Sequence, residues 1–170
     1  LNVMNIDQYE QRIKELELVV SNLASHNNVA ALQKEMSFRE AIEKSIPSGI
    51  AVVDNKGKQV YVNQSFCNMV GWNEEELLGK FPPYVYWAQE DSENINNALK
   101  QTLNNTAPKE GFDLIFCHRT GRSIPVNVVI TSFIQTKNEK FWLANVIDLT
   151  ERKQTEEALK KSQLLLSASI

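Results

Sequence analysis

Val146-Ile147-Asp148-Leu149-Thr150-Glu151-Arg152-Lys153 is the point at which a run of strand-forming residues stops and a charged helix begins, with no flexible tether between them. A Gly/Ser-rich linker would let the two segments move independently, whereas a strand running straight into a helix passes displacement or torque along the chain. The stretch therefore reads as a transmission joint, and Asp148, Leu149, Thr150 and Arg152 are its candidate signal-carrying residues. Asp148 or Thr150 is placed to cap the helix, and Asp148 with Glu151 makes an Asp-x-x-Glu capping pattern. Asp148 and Arg152 stand four residues apart, the spacing of an ion pair on a helix.

Upstream of the joint, strand patterns run near 111–118, 122–134 and 140–148, joined by Arg119-Thr120-Gly121 and by Thr136-Lys137-Asn138-Glu139. In the middle strand Ile124, Val126, Val128 and Ile130 share one face, but Val129 and Phe133 on the other are not polar. An antiparallel sheet normally keeps one wet face, so both faces here are expected to be covered, one by the core and the other by a flanking helix or a second subunit. Further back, Ile50–Asp54 and Val60–Val62 flank Asn55-Lys56-Gly57 and predict a hairpin. Between the two groups of strands lie short helical pieces. Asn63 or Ser65 is placed to cap a turn carrying Phe66, Met69 and Val70, and Asn73 with Glu76 makes a capping pattern before Leu77 and Leu78. Pro82–Trp87 is irregular and aromatic; a longer helix from about Asp91 places Ile95, Ala98, Leu99, Thr102 and Leu103 on one face. Strands, a helical belt and strands again predict an α+β domain over residues 37–150.

Residues 1 to about 36 read as a helix with apolar positions on a heptad: Ile6, Tyr9, Ile13, Leu16, Val20 and Leu23, followed by Asn27 and Ala30. Alternating three- and four-residue spacings bury a seam against a second helix, which predicts a homodimer through this segment. The apolar period continues through Phe38, Ala41 and Ile42 and halts at Ile46-Pro47-Ser48-Gly49. At the other end, residues 151–170 predict an output helix with Glu156–Lys160 and Glu157–Lys161 spaced for ion pairs. Its end, Ser162–Ile170, resembles Phe38–Ile46, so a second copy of the same domain is expected to start there.

Composition bounds what such a chain does. Hydrophobic residues make up 42% and charged residues 23% of 170, as in a folded soluble protein. A net charge of −3 gives no footprint for nucleic acid, and no apolar run reaches the roughly 20 residues of a membrane span. Cys67 and Cys117 are far apart and in no metal-like spacing, which fits a reducing, cytoplasmic setting. Two histidines, no Gly-rich phosphate loop and no metal spacing leave no catalytic constellation, so these residues are expected to be catalytically silent.

One ordered set of short motifs is more specific: Ile46-Pro47-Ser48-Gly49-Ile50, Val53-Asp54-Asn55-Lys56-Gly57, Tyr61-Val62-Asn63, Val70-Gly71-Trp72, Glu75–Lys80, His118-Arg119-Thr120-Gly121-Arg122, Pro125-Val126 and Asp148–Lys153. In this order they resemble a PAS sensor domain of bacterial and archaeal signalling proteins. The resemblance implies a five-stranded antiparallel sheet in the order 2-1-5-4-3, with small molecules held between it and the central helices. It also implies that Asp148-Leu149-Thr150 matches the family's joint to an output helix, and that the parent is a sensor histidine kinase of a two-component system, or alternatively a cyclic-dinucleotide enzyme.

The resemblance places the cavity lining at Ile95, Leu99, Leu114, Phe116, Val126, Val128, Trp142, Ala144 and Val146, all of them apolar or aromatic. Haem-binding relatives carry an axial His on the longest central helix, and Ile95–Leu103 has none; His118 falls at a strand end. Photoactive flavin relatives carry a Cys in a segment that Cys67 precedes, and their flavin-reading Gln and Asn are replaced by Val146 and Val126. Haem and photoactive flavin are therefore disfavoured, while a non-photochemical flavin lined by Trp72 or Trp87 stays open. An apolar lining of this kind is either filled core or a pocket for a small apolar or weakly polar ligand. Two functions follow: a domain that senses such a ligand, or a ligand-free dimerisation and relay module.

Overall fold

The computed structural model describes residues 6–134 and 139–169, apart from the side chain of Tyr9. The expected connection Thr136–Glu139 lies for the most part outside the described residues, as do the first five residues of the expected N-terminal helix and Ile170. The chain divides into two compact units, residues 1–45 and residues 46–170.

The first unit is a single helix, α1 (Ile6–Ser45), of 40 residues. The apolar period that continues past Met36 belongs to the same unbroken helix, which ends at Ser45. Nothing between Met36 and Ser45 breaks it, because the first residues that disfavour helix are Pro47 and Gly49. At about 1.5 Å per residue it extends for roughly 60 Å, and its large apolar side chains are exposed in this single chain.

The second unit is built on a sheet of β1 (Gly49–Val53), β2 (Gln59–Val62), β3 (Phe112–Cys117), β4 (Ser123–Ile134) and β5 (Lys140–Asp148) in the order β2-β1-β5-β4-β3. All neighbours are antiparallel. The β1–β2 turn is held by Asp54, whose carboxylate accepts from the amides of Lys56 and Lys58 at 2.8 and 2.9 Å, with Gly57 at φ +82°. Between β2 and β3 run α2 (Gln64–Val70), α3 (Glu74–Leu77), a 3-10 turn at Gln89–Asp91 and α4 (Ser92–Leu103). The helix after the joint is α5 (Thr150–Ala168).

Two buried polar residues fix the belt to the sheet. Asn63, 3% exposed, caps α2 through its side-chain oxygen, which accepts from Phe66 N at 2.9 Å and from Ile50 N at 2.8 Å; its amide donates to Ser48 O. One side chain thus closes a helix end and holds the start of β1. Asp91, 8% exposed, accepts from Ile115 N of β3 and from Asn94 Nδ2 of α4, each at 2.7 Å, and so sets α4 against the sheet. Asn73 N donates to Glu76 Oε2 at 3.0 Å, completing the capping pattern read from the sequence. Gly71 ends α2 at φ +76°, where a Cβ would collide with the ring of His118.

Register sorts the sheet into two faces. Ala51, Leu114, Phe116, Val126, Val128, Trp142 and Val146 are buried on the face that packs against the helices. The opposite face carries Leu143, Asn145 and the Phe133–Phe141 stack, and is only partly covered within this unit.

A candidate ligand cavity and transmission joint

A cavity of about 110 Å³ lies between the sheet and α4. Eight of the nine residues expected around it do line it: Ile95, Leu99, Leu114, Phe116, Val128, Trp142, Ala144 and Val146. Val126 does not. It is fully buried on the same face, but it pairs with Asp148, two ladder steps past Val146, and contributes to the packed end of the core. Leu103 is likewise not on the packed face of α4, being 51% exposed at the helix's last residue.

Of the third wall the sequence reading offered only Trp87. Phe66 of α2 and the segment around Tyr84, Tyr86 and Trp87 close the cavity opposite the strands. Periodicity gives no direction for side chains in an irregular segment, so only its aromatic density signalled a role. Backbone pairing places it: Cys117 N donates to Tyr86 O at 2.8 Å and Trp87 bridges to Phe116. Tyr86 packs edge-on to Phe66 at 5.0 Å, stacks with Tyr84 at 5.3 Å and tilts onto Phe116 at 5.1 Å. Such ring pairs add directional attraction to plain burial.

No charged side chain lines the cavity. Of its hydroxyls, Tyr84 donates to Gly57 O at 2.6 Å and Thr102 to Ala98 O at 2.8 Å, so both are taken. Tyr86 donates to Gln59 Oε1 at 3.5 Å. Burial raises the Tyr86 hydroxyl well above its ordinary range, with Tyr84 adding to the effect, and burial also raises that of Tyr84. Both therefore remain protonated donors.

Of the residues weighed for cofactors, His118, Cys67 and Trp72 lie off the cavity. His118 sits in the β3–β4 turn with Nδ1 2.8 Å from Thr120 Oγ1. Cys67 is buried on α2, and burial, followed by the nearby Glu74 carboxylate, pushes its thiol up. Trp87 lines the cavity but Trp72 does not; its ring lies 4.6 Å beneath the Arg119 guanidinium, which pairs with Glu76 at 2.9 Å. The space is somewhat smaller than the roughly 150 Å³ apolar cavity that takes up benzene, so a small monocyclic molecule enters with slight expansion of the walls. Among the described residues no cluster of His, Cys, Asp or Glu is arranged to hold a metal ion, and no helix is long and apolar enough to cross a membrane.

The joint is tighter than its sequence suggested and differently bonded. Asp148 Oδ1 accepts from Thr150 N at 2.8 Å and from Thr150 Oγ1 at 2.5 Å. The helical bonds start from Leu149, whose carbonyl accepts from Lys153 N at 2.9 Å, so Leu149 and not Asp148 is the capping position. The Asp148–Arg152 ion pair does not form. With Asp148 turned onto Thr150, Arg152 Nε reaches forward to Glu156 at 3.0 Å, which also takes Glu156 from its expected partner Lys160. Leu149 N donates to Pro125 O at 2.8 Å, extending the β4–β5 ladder one step past Asp148. The last backbone group before α5 is therefore still tied to the sheet, one residue beyond the strand that walls the cavity.

Comparison with known proteins places this architecture. The sequence pattern of the PAS fold matches residues 37–149, more than half of the chain. The C4-dicarboxylate transport sensor protein DctS of Rhodobacter capsulatus is 33% identical over 124 residues, covering 72% of this chain and 19% of that protein. A probable diguanylate cyclase of Escherichia coli, DgcE, is 21% identical over 126 residues, 74% of this chain and 11% of that protein. The chain thus spans a small part of the curated relatives it matches. Among solved structures, the PAS domain of an HTR-like protein from Haloarcula marismortui superposes with a TM-score of 0.56 at 26% identity, covering 72% of this chain and 98% of that one. The sheet order, the helical belt and these matches agree: the chain belongs to the PAS family of sensory domains.

Proposed function

We propose that this domain senses a small, neutral, largely apolar molecule in the cavity and passes the change in occupancy through Asp148, Leu149, Thr150 and Arg152 to an output module that follows in the parent protein. The observation that carries the reading is the shared wall. Trp142, Ala144 and Val146 of β5 line the cavity, and the same strand runs without slack into α5, held to β4 by Leu149 N. A ligand shifts such an equilibrium only by binding its two arrangements unequally, and a wall strand is where the difference would arise. The fragment itself would be catalytically silent and cytoplasmic, and the parent a sensor histidine kinase; DgcE keeps a cyclic-dinucleotide enzyme as the alternative output.

Recognition of a C4-dicarboxylate, named for the DctS relative, does not suit this cavity. Two carboxylates would need cations or several donors to replace their water, and the lining supplies no charge. The domain's input is therefore of a different chemistry.

A second reading, a ligand-free dimerisation and relay module, draws on α1. Ile6, Ile13, Leu16, Val20 and Leu23 are all more than half exposed, as a seam awaiting a second copy would be. The two readings are separated by the purified protein's absorbance and native mass. A retained small-molecule adduct without flavin or haem bands is expected for sensing; a clean apoprotein that binds no apolar probe would leave the relay. Leu16→Lys with Leu23→Lys is expected to convert a dimer to a monomer, and an unchanged solution mass would defeat the seam.

A further inference from the structure

Gln59 is 1% exposed, and its Nε2 has no hydrogen-bond partner. Its Oε1 accepts from Tyr86, which lines the cavity, but at 3.5 Å, well beyond the ~2.7–2.8 Å of a good O–H···O bond. A buried amide with one group unpaired and the other weakly paired is costly and calls for an explanation. The amide that carries the unmet donor is the partner of the cavity's one loosely held hydroxyl.

We infer that Gln59 and Tyr86 form a polar reader for the cavity, selecting a neutral, monocyclic, mostly apolar ligand that carries one hydrogen-bond acceptor. The inference rests on the sensing reading and names the chemistry that reading requires. A half-turn of the Gln59 amide exchanges its oxygen and nitrogen. Nε2 then donates to the Tyr86 oxygen, and the Tyr86 O–H is released to donate to an acceptor in the cavity. The orphan donor is satisfied and a new bond to the ligand forms, at the cost of the Gln59 carbonyl's long bond and of leaving that carbonyl where the amide nitrogen stood. An anionic ligand is excluded by the uncharged lining, and a pure hydrocarbon would offer the released Tyr86 hydroxyl no acceptor.

The test uses two probes of nearly the same shape, benzonitrile, which has an acceptor, and ethynylbenzene, which lacks a comparable one. Binding is followed through the fluorescence of Trp87 and Trp142, which line the cavity. Wild type is expected to bind benzonitrile about tenfold more tightly, the upper end for one neutral hydrogen bond. Tyr86→Phe is expected to erase the preference while still binding ethynylbenzene, and Gln59→Met to reduce it without loss of the fold, which circular dichroism checks. Equal binding of both probes by wild type would overturn the reader and leave an unselective apolar cavity. Binding of neither would overturn the sensing reading as well.

Discussion

α4 and α5 are both single helices in one compact unit, yet they are held in opposite ways. α4, of 12 residues, buries Ile95 and Ala98 and is pinned at its start by Asp91. α5, of 19 residues, buries nothing, and Leu159, Leu164, Leu165 and Leu166 are each at least 60% exposed. Most helical stability comes from packing of an apolar face, so within this unit α5 depends chiefly on its first turn. The contrast teaches where information can be stored. α4 is part of the cavity wall and cannot move without disturbing the core, whereas α5 can be reoriented at little cost, provided its start follows the sheet.

The contrast is broken most severely in the core. Ile95→Ala removes a side chain that is 2% exposed and is expected to lower unfolding stability by about 2 to 5 kcal/mol in a urea titration. Leu165→Ala, at 66% exposure, is expected to change it by less than about 0.5 kcal/mol in the same titration. Comparable losses from the two would show that α5 is packed after all.

A smaller effect belongs to the joint. Asp148→Ala removes the carboxylate that holds the Thr150 amide and hydroxyl, at an expected cost of about 1 kcal/mol for the lost exposed hydrogen bonds. In the full-length parent, that variant is expected to uncouple input from output while remaining folded; normal signalling would reduce Asp148 to a local turn former. Arg152→Ala should cost least, about 0.3 to 0.5 kcal/mol, because its pair with Glu156 is exposed.

Alkaline pH sharpens the same division without mutation of α5. Burial raises the Tyr84 and Tyr86 hydroxyls above their ordinary value of 10.0. The folded state therefore keeps protons that the unfolded state releases, so stability is full below about pH 10 and falls as pH rises beyond it. Tyr86→Phe is expected to shallow that fall in the urea midpoint. An unchanged slope would mean that Tyr86 does not hold its proton through burial.

The strands and the belt were legible because local signals agreed with the tertiary answer. β5 was read at residues 140–148 and stands there, since its alternation, its turn residues and its abrupt charged end all point one way. The boundary drawn near residue 36 is not a break in the N-terminal helix, whose apolar period was already read as running on to the Pro47–Gly49 stop. The Asp148–Arg152 pair failed. Spacing permits several bonds for one carboxylate, and the nearer amide and hydroxyl of Thr150 took it. Apart from Trp87 the aromatic wall was not read, and the Gln59–Tyr86 pair was invisible because it joins an irregular segment to a strand 27 residues away.

The central claim, that the cavity and α5 are mechanically one system, is tested most directly by hydrogen exchange of the Leu149 and Lys153 amides, with and without benzonitrile. These amides donate to Pro125 O and to Leu149 O, on either side of the joint. The account predicts that ligand binding changes their protection several-fold in wild type and leaves it unchanged in Asp148→Ala, which should still bind. Full occupancy of the cavity with no change in protection at either amide in wild type would contradict it.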